Sequence, residues 1–200
     1  MNVVKSILAL LMGVNLIVTL LLNDYVAHVF FFFSYWGDVA SFLATCFQIR
    51  AAKFPKTYQV PAMICQEMAW SFNLIIFPLF WGYIFWWELK HTDLHTLIGK
   101  IDFVHYFTVH TFPMLSCILN TYLTKDMTMV RDDWKIMLAS GTFYIFANWL
   151  GTIVEGSPMY PIADWTNPAL TIMIYFITAC IEAYAYVLIT DFINSKRAKQ

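Results

Sequence analysis

Hydrophobic residues are grouped into six long runs, and short polar segments separate them. The runs cover residues 6–22, 25–49, 68–87, 103–123, 136–154 and 169–190. Crossing the hydrocarbon core of a bilayer takes about 20 residues of α-helix. The pattern therefore predicts an all-α, polytopic membrane protein with six transmembrane helices in a single domain, residues 1–200. The segment at residues 23–24 is so short that we expect the first two helices to be antiparallel neighbours.

The positive charges alternate between the polar segments. Ten of the twelve lysines and arginines fall in the N-terminus, the second and fourth connections and the tail. Only Lys90 and Lys100 fall on the other side. Lysine and arginine concentrate on the cytoplasmic side of membrane proteins. We therefore expect both termini on the same, positive side, which is the cytosol or an organelle matrix.

Composition narrows the possible functions. Hydrophobic residues make up 60% of the chain, aromatic residues 18% and charged residues only 12%, and the formal net charge is −1. A basic face for nucleic acid is therefore not expected. The four cysteines are scattered and show no metal-type spacing, which predicts reduced thiols. His91 and His95 have the i, i+4 spacing of a metal-binding pair, but chance also gives it, so we predict no metal and no cofactor.

The run at residues 103–123 is unusual because it contains His105, His110 and Pro113. Ionisable side chains at membrane depth are costly and usually face the bundle interior, so they suggest a functional site. The alternative is that both histidines only form hydrogen bonds between helices.

Counting residues from the outer end of each run predicts which polar groups share a depth. Ser34 lies 9 residues after Tyr25, and His110 lies 7 residues after Phe103. At a rise of about 1.5 Å per residue, the hydroxyl and the imidazole should lie at nearly the same level.

Two carboxyl groups define a second predicted level. Asp38 and Glu182 each lie 13 residues into their runs. We expect both to face the bundle interior with a polar partner, since an unpaired charge in hydrocarbon is prohibitive. The candidate partners are Asn73, Asn148, Tyr184 and Tyr186.

A serine hydroxyl beside a histidine is the smallest nucleophile and base pair for acyl transfer. Ser34 and His110 are therefore the candidate catalytic dyad, with Asp38 as a possible orienting group for the base. The alternative is a packed polar layer without chemistry, in which His105, Glu182, Asn73 and Asn148 are structural polar residues.

Several segments together resemble a known family. They are FFSYWGD at 32–38, WSFNLIIFPLFWGYIFWW at 70–87, VHTFP at 109–113, and the series Trp149, Gly156 and Tyr160-Pro161. In this order they resemble the androgen-induced protein family, multi-pass membrane proteins that hydrolyse fatty acid esters of hydroxy fatty acids with a threonine and a histidine.

The resemblance implies a role for particular residues. Ser34 occupies the place of the family's threonine. An alignment on His-Thr-Phe places His110 at the catalytic histidine. An alignment on Pro113 instead places Thr108 there and leaves His105 as a non-catalytic neighbour.

Two functions follow from these observations. Because a fold does not carry a function with it, the first is a non-catalytic accessory subunit of a larger membrane complex, such as a mitochondrial respiratory assembly. The alternative is an intramembrane hydrolase of branched fatty acid esters that uses Ser34 and His110. The expected partners are lipids and other membrane protein subunits. The expected membrane is the mitochondrial inner membrane for the first function, and the endoplasmic reticulum or plasma membrane for the second.

Overall fold

The computed structural model describes residues 2–22, 30–124, 128–160 and 164–198, and every regular element in these ranges is helical. The α-helices are α1 (Asn2–Leu22), α2 (Phe33–Ala51), α3 (Pro55–Leu79), α4 (Phe85–His91), α5 (Leu97–Leu123), α6 (Trp134–Glu155) and α7 (Pro168–Arg197). A π-helical turn, Phe80–Ile84, joins α3 to α4, and a 3₁₀ turn, Arg131–Asp133, precedes α6. The predicted all-α class is confirmed.

Four helical segments are long and apolar enough to cross a membrane. They are Val3–Leu22, Pro55–His91, Arg131–Glu155 and Pro168–Arg197. Large apolar side chains are exposed on each of the four, for example Leu21, Leu79, Phe143 and Ile181. An apolar exterior on helices of this length is consistent with an integral membrane protein.

The other two long helices, α2 and α5, pack against each other and against α1 and α3. Much of their buried surface is polar, for example Ser41 and Thr45 on α2 and Asn120 on α5. Buried polar residues therefore explain why these two helices are less apolar than the four outer segments. The hairpin α6–α7 completes the bundle by packing on α3 through α7.

Helix α2 begins at Phe33, after a turn at residues 30–31, and the predicted start at Tyr25 lies outside the described residues. The predicted start of the fourth run at Phe103 was wrong. Helix α5 begins at Leu97, where Thr96 Oγ1 accepts the backbone N–H of Gly99 at 3.1 Å as an N-cap. Ser34 therefore lies in the first turn of its helix, whereas His110 lies more than three turns into its own.

A proline precedes the π-helical turn that joins α3 and α4. Pro78 has no N–H, so it cannot donate the i→i−4 hydrogen bond of a regular helix. Two residues later the helix widens, and the N–H of Phe85 donates to the carbonyl of Phe80. Such π-turns are frequent at functional sites, and this one lies beside α5.

Gly37 allows α2 to lie directly against α3. A Cβ atom there would lie 2.7 Å from Ile76 Cδ1 and 3.0 Å from Asn73 Oδ1. Real Cβ atoms essentially never come as close to a neighbour as 2.7 Å. A side chain at position 37 would therefore require the end of the Ile76 side chain to move and would press on the Asn73 amide.

Candidate functional site

A cavity of about 430 Å³ lies between the two parts of the bundle. One wall is formed by the first turn of α2, the segment from α3 to α4, and α5. The other wall is formed by α6, α7 and the loop between them. Its volume is within the range of small-molecule sites. Most of its lining is apolar, and its polar side chains are Ser34, Tyr35, Tyr83, Glu88, Tyr106, His110, Tyr144, Tyr160, Tyr175, Thr178 and Glu182.

The lining of the cavity follows α3 and α4. Its lining there extends from Ile75 to Glu88. At the helical rise this is a length of about 20 Å. A long apolar space with a few polar groups suits an extended acyl chain with a polar centre.

Ser34 is held at the N-terminus of α2. Phe32, at the N-cap, has an extended backbone, and its side chain provides no cap. The phenol oxygen of Tyr160 takes this place by accepting the backbone N–H of Phe33 at 3.0 Å. A side chain from a distant loop thus fixes the turn that carries Ser34.

His110 is oriented by a carbonyl oxygen of its own helix. Its Nδ1 lies 2.7 Å from the carbonyl oxygen of Tyr106, which can only accept, so Nδ1 carries the hydrogen. Phe80 of the π-turn stacks on the imidazole, with ring centroids 4.2 Å apart and planes 5° apart. In the neutral imidazole, Nε2 then carries the lone pair that a general base needs.

Ser34 and His110 line the same cavity, although their helix positions differ. Among the described residues no hydrogen bond joins them. Catalytic hydrogen bonds are often long without substrate and shorten in the complex. The arrangement thus provides an aligned base and a hydroxyl on one cavity wall.

Asp38 does not orient His110. The carboxyl group is fully buried and accepts a hydrogen bond from Asn15 Nδ2 at 2.9 Å. The oxygen of the same Asn15 amide accepts from the Thr108 hydroxyl at 2.8 Å. The orienting partner of His110 is the Tyr106 carbonyl, so the role suggested for Asp38 is corrected.

Glu182 has a different environment. The hydroxyl of Ser71 donates to its Oε1 at 2.6 Å, and the residue lines the cavity, whereas Asp38 does not. The prediction that both carboxyls are buried with a polar partner is confirmed. The suggested partners were wrong, since the hydrogen bonds come from Asn15 and Ser71.

The remaining predicted polar residues lie outside the cavity lining. His105 Nε2 lies 3.2 Å from the Thr19 hydroxyl. Asn73 donates to Ser41 Oγ at 2.9 Å, and Asn148 Oδ1 accepts from the Trp165 indole at 3.0 Å.

Two of these hydrogen bonds, from His105 and Asn73, belong to a row of buried polar side chains between α1, α2, α3 and α5. We call the row the polar spine. Its members are Asn15, Thr19, Asp38, Ser41, Thr45, Gln48, Gln66, Asn73, His105, Thr108, Ser116 and Asn120. The sequence contains its signal, because Asp38, Ser41, Thr45 and Gln48 recur at intervals of three and four residues.

No site for a metal ion was found in the described part of the chain, where no three His, Cys, Asp or Glu side chains are grouped. His91, one of the two histidines with the spacing of a metal-binding pair, has its Nδ1 2.7 Å from the Trp87 carbonyl oxygen. The four cysteines are free thiols.

No protein-family model, no curated protein and no solved structure matches this chain.

Proposed function

We propose that the protein is an intramembrane hydrolase of lipid esters, in which Ser34 is the nucleophile and His110 is the general base. One observation carries the proposal. Ser34 and His110 line a single cavity, and the Tyr106 carbonyl orients His110 so that Nε2 is the basic nitrogen.

The reaction follows from these two groups. Ser34 Oγ attacks the ester carbonyl carbon while His110 Nε2 takes the hydroxyl proton. The bond to the alkoxy oxygen then breaks, and the imidazolium returns the proton to the departing alcohol. Water attacks the resulting acyl-serine, again losing a proton to His110, and releases the acid and free Ser34.

The cavity and the sequence resemblance suggest the same substrate class. The cavity lining follows α3 and α4 from Ile75 to Glu88 and is mostly apolar, with a few polar groups. A fatty acid ester of a hydroxy fatty acid has this pattern, with an ester between two alkyl chains. By the same resemblance, the membrane would be the endoplasmic reticulum or the plasma membrane.

The accessory-subunit hypothesis differs in its expectation for this space. It predicts a cavity filled by Phe, Trp and Met side chains or by a static lipid. The side chains of the described residues leave a cavity of about 430 Å³ there, which supports the hydrolase over a space filled by Phe, Trp and Met side chains. Membership of a larger complex, including a mitochondrial one, stays a prediction, and copurification at fixed stoichiometry after mild detergent extraction would check it.

We also propose six membrane crossings with both termini on the positive side. Lys5 donates to the Thr124 hydroxyl at 2.6 Å, and Arg197 donates to the carbonyls of Thr121 and Thr124 at 2.9 and 3.0 Å. Residues near both ends of the chain thus meet at the C-terminal end of α5, where the helix dipole favours cations. Engineered glycosylation sites accepted on opposite sides at the two termini would contradict this topology.

Hydrolysis of a fluorogenic fatty acid ester by the purified protein tests the activity. We expect turnover by the native protein and loss of turnover in Ser34→Ala. The matched control is Ser41→Ala, which removes a hydroxyl from the polar spine on the same helix and should keep the activity. Equal turnover by the native protein and Ser34→Ala would refute the proposed nucleophile.

A fluorophosphonate probe with a fatty chain gives an independent measurement. It forms a stable bond to an activated serine, so the labelled peptide identifies the nucleophile. We expect labelling at Ser34 in the native protein and strongly slowed labelling in His110→Gln. Absence of labelling together with absence of turnover would refute the hydrolase.

A further inference from the structure

The loop after α6 places Tyr160 in the lining of the cavity. Gly156 ends α6 with φ +69, and its N–H donates to the carbonyl of Thr152 at 3.0 Å. This left-handed conformation is one that glycine adopts without strain. Met159 is buried, and the ring of Tyr160 packs edge-on against Phe32 with centroids 5.9 Å apart.

The Tyr160 phenol can turn its hydrogen to a ligand. Its oxygen accepts the N–H of Phe33, the residue directly before Ser34. Its hydroxyl also forms a side-chain hydrogen bond with that of Tyr144, a second tyrosine of the cavity. Tyr144 donates its own hydrogen to the carbonyl of Phe31 at 2.7 Å, so Tyr160 is the donor between the two phenols. The Tyr160 hydrogen can turn from the Tyr144 oxygen to a ligand while its oxygen keeps the bond from Phe33, whereas Tyr144 would have to give up the Phe31 carbonyl.

The ionisation of Tyr160 is compatible with this role. Burial raises the pKa of the phenol, and the hydrogen bonds with the Tyr144 hydroxyl and with the backbone N–H groups of Phe33 and Ser34 oppose part of the rise. A raised pKa means that the phenol keeps its hydrogen at neutral pH.

We propose that Tyr160 is the oxyanion donor of the ester hydrolysis described above, a role that rests on that proposed function. When Ser34 Oγ bonds to the carbonyl carbon, the electron pair of the carbonyl bond moves onto its oxygen. The Tyr160 hydroxyl donates a hydrogen bond to this oxygen and keeps its proton throughout. When the alkoxy group leaves, the pair returns and the carbonyl forms again.

The position of the phenol explains why it would act on this oxygen. The N–H of Phe33 fixes the phenol oxygen one residue from the nucleophile, before any substrate binds. Donors that are fixed in advance stabilise the developing charge without reorganisation. The same hydrogen bond holds the turn that carries Ser34. The Tyr160 side chain would therefore position the nucleophile and also provide the oxyanion donor.

The first test compares Tyr160→Phe with Tyr144→Phe in the purified native-length protein. Both variants remove one phenol oxygen beside the start of α2. We expect kcat for the fluorogenic ester to fall by about 10²- to 10³-fold in Tyr160→Phe, with KM nearly unchanged, because one oxyanion donor is lost. In Tyr144→Phe we expect less than about a tenfold fall, since its hydrogen already binds a backbone carbonyl.

The second test separates oxyanion stabilisation from loss of structure. A fatty trifluoromethyl ketone forms a tetrahedral oxyanion with an active serine, whereas the corresponding methyl ketone binds as the unreacted carbonyl. Tyr160→Phe should weaken inhibition by the trifluoromethyl ketone by about the same factor as kcat. Inhibition by the methyl ketone should change little. The ratio of the two inhibition constants does not depend on the fraction of folded protein, so partial unfolding cannot imitate the result.

The outcomes distinguish the two proposals. A native protein without turnover or phosphonate labelling would overturn both the hydrolase and the oxyanion donor. A native protein that needs Ser34 but turns over equally as Tyr160→Phe would overturn the oxyanion donor alone. Equal weakening of both ketones would also overturn it, because that result would assign Tyr160 to binding.

Discussion

Two polar regions share helix α5 and differ in what their polar atoms contact. His105 belongs to the polar spine and contacts the Thr19 hydroxyl, whereas His110 lines the cavity. The two residues are five positions apart, a rotation of about 140° around the helix. One helix therefore presents one histidine to a packed interface and the other to open space.

The polar spine is connected by hydrogen bonds from one helix to another. Thr45 and Ser116 hydroxyls lie 3.1 Å apart, Asn120 donates to Thr45 at 2.6 Å, and Gln48 donates to Gln66 at 2.9 Å. Hydrogen bonds of this kind between membrane helices contribute about 0.6 kcal/mol on average. The spine therefore contributes stability through many small interactions.

The cavity is arranged differently. His110 hydrogen-bonds to a backbone carbonyl within its own helix, and Tyr160 accepts a backbone N–H. In each case one atom is fixed and a second atom can reach a ligand, namely Nε2 of His110 and the hydroxyl hydrogen of Tyr160, which can turn away from the Tyr144 oxygen. The comparison shows that an intramembrane polar residue indicates a site when its hydrogen bonds orient it and still leave an atom that can reach a ligand.

The largest expected difference is between the two histidines. His110→Gln removes the proposed general base, so we expect ester turnover to fall by about 10²- to 10⁴-fold. His105→Gln keeps a hydrogen-bonding side chain in the spine and should leave turnover within about threefold, because His105 does not line the cavity. Initial rates of both variants, normalised to the amount of purified protein, would check this. Comparable losses in the two variants would show that the regions are not functionally separate.

A substitution between the two regions should affect both of them. Gly37→Val would place side-chain atoms against Ile76, which lines the cavity, and against Asn73 of the spine. Overpacking of a close contact typically costs about 1–3 kcal/mol, so we expect this loss in the free energy of unfolding, together with reduced turnover.

Unfolding by sodium dodecyl sulfate in mixed micelles would measure the change for Gly37→Val. Gly82→Ala provides the control, since a Cβ there has nothing within 4 Å. An unchanged unfolding curve for Gly37→Val would contradict the close packing of α2 on α3.

The hydrophobic pattern predicted the helices well because a membrane-spanning helix needs a long apolar run. All six predicted runs contain a helix, and the all-α class is confirmed. The helix starts were predicted poorly. Thr96 begins α5 outside the apolar run, and Phe30 and Phe31 are as apolar as a helix interior yet form a turn. Hydropathy reports the solvent around a segment, whereas a helix start depends on capping bonds, one of which comes from distant Tyr160.

The site was only partly predictable for a related reason. Ser34 and His110 could be identified as candidates from residue type and approximate depth, and they line one cavity. The orienting groups could not be found in this way, because the Tyr106 carbonyl is a backbone atom and every residue has one. The spacing of Asp38, Ser41, Thr45 and Gln48 did indicate the polar spine. A count of the polar residues along this face of α2 would have assigned Asp38 to the spine.

Asp38 provides a smaller test on the spine side. Asp38→Leu removes the acceptor of the Asn15 side chain and leaves its Nδ2 buried without that hydrogen bond. We expect a loss of about 1–2 kcal/mol in the free energy of unfolding, the upper range for such bonds between membrane helices. Turnover of the folded protein should remain, since Asp38 does not orient His110. A turnover loss as large as that of His110→Gln would restore Asp38 as part of the catalytic group.

The smallest expected effects on stability are those of Ser116→Ala and Ser140→Ala, which we compare with Ser34→Ala. Ser116 belongs to the spine, where its hydroxyl lies 3.1 Å from Thr45 Oγ1 and accepts from Asn120 Nδ2 at 3.2 Å. Ser116→Ala should lower the free energy of unfolding by only about 0.6 kcal/mol, because Asn120 keeps its bond to Thr45. Ser140→Ala on α6 should change it by less, since that hydroxyl donates to a carbonyl of its own helix, that of Met137, at 2.9 Å. Both variants should turn over the ester like the native protein, in contrast to Ser34→Ala. If Ser116→Ala instead lost turnover while keeping its stability, the spine would take part in the chemistry, and the separation between the two regions would be wrong.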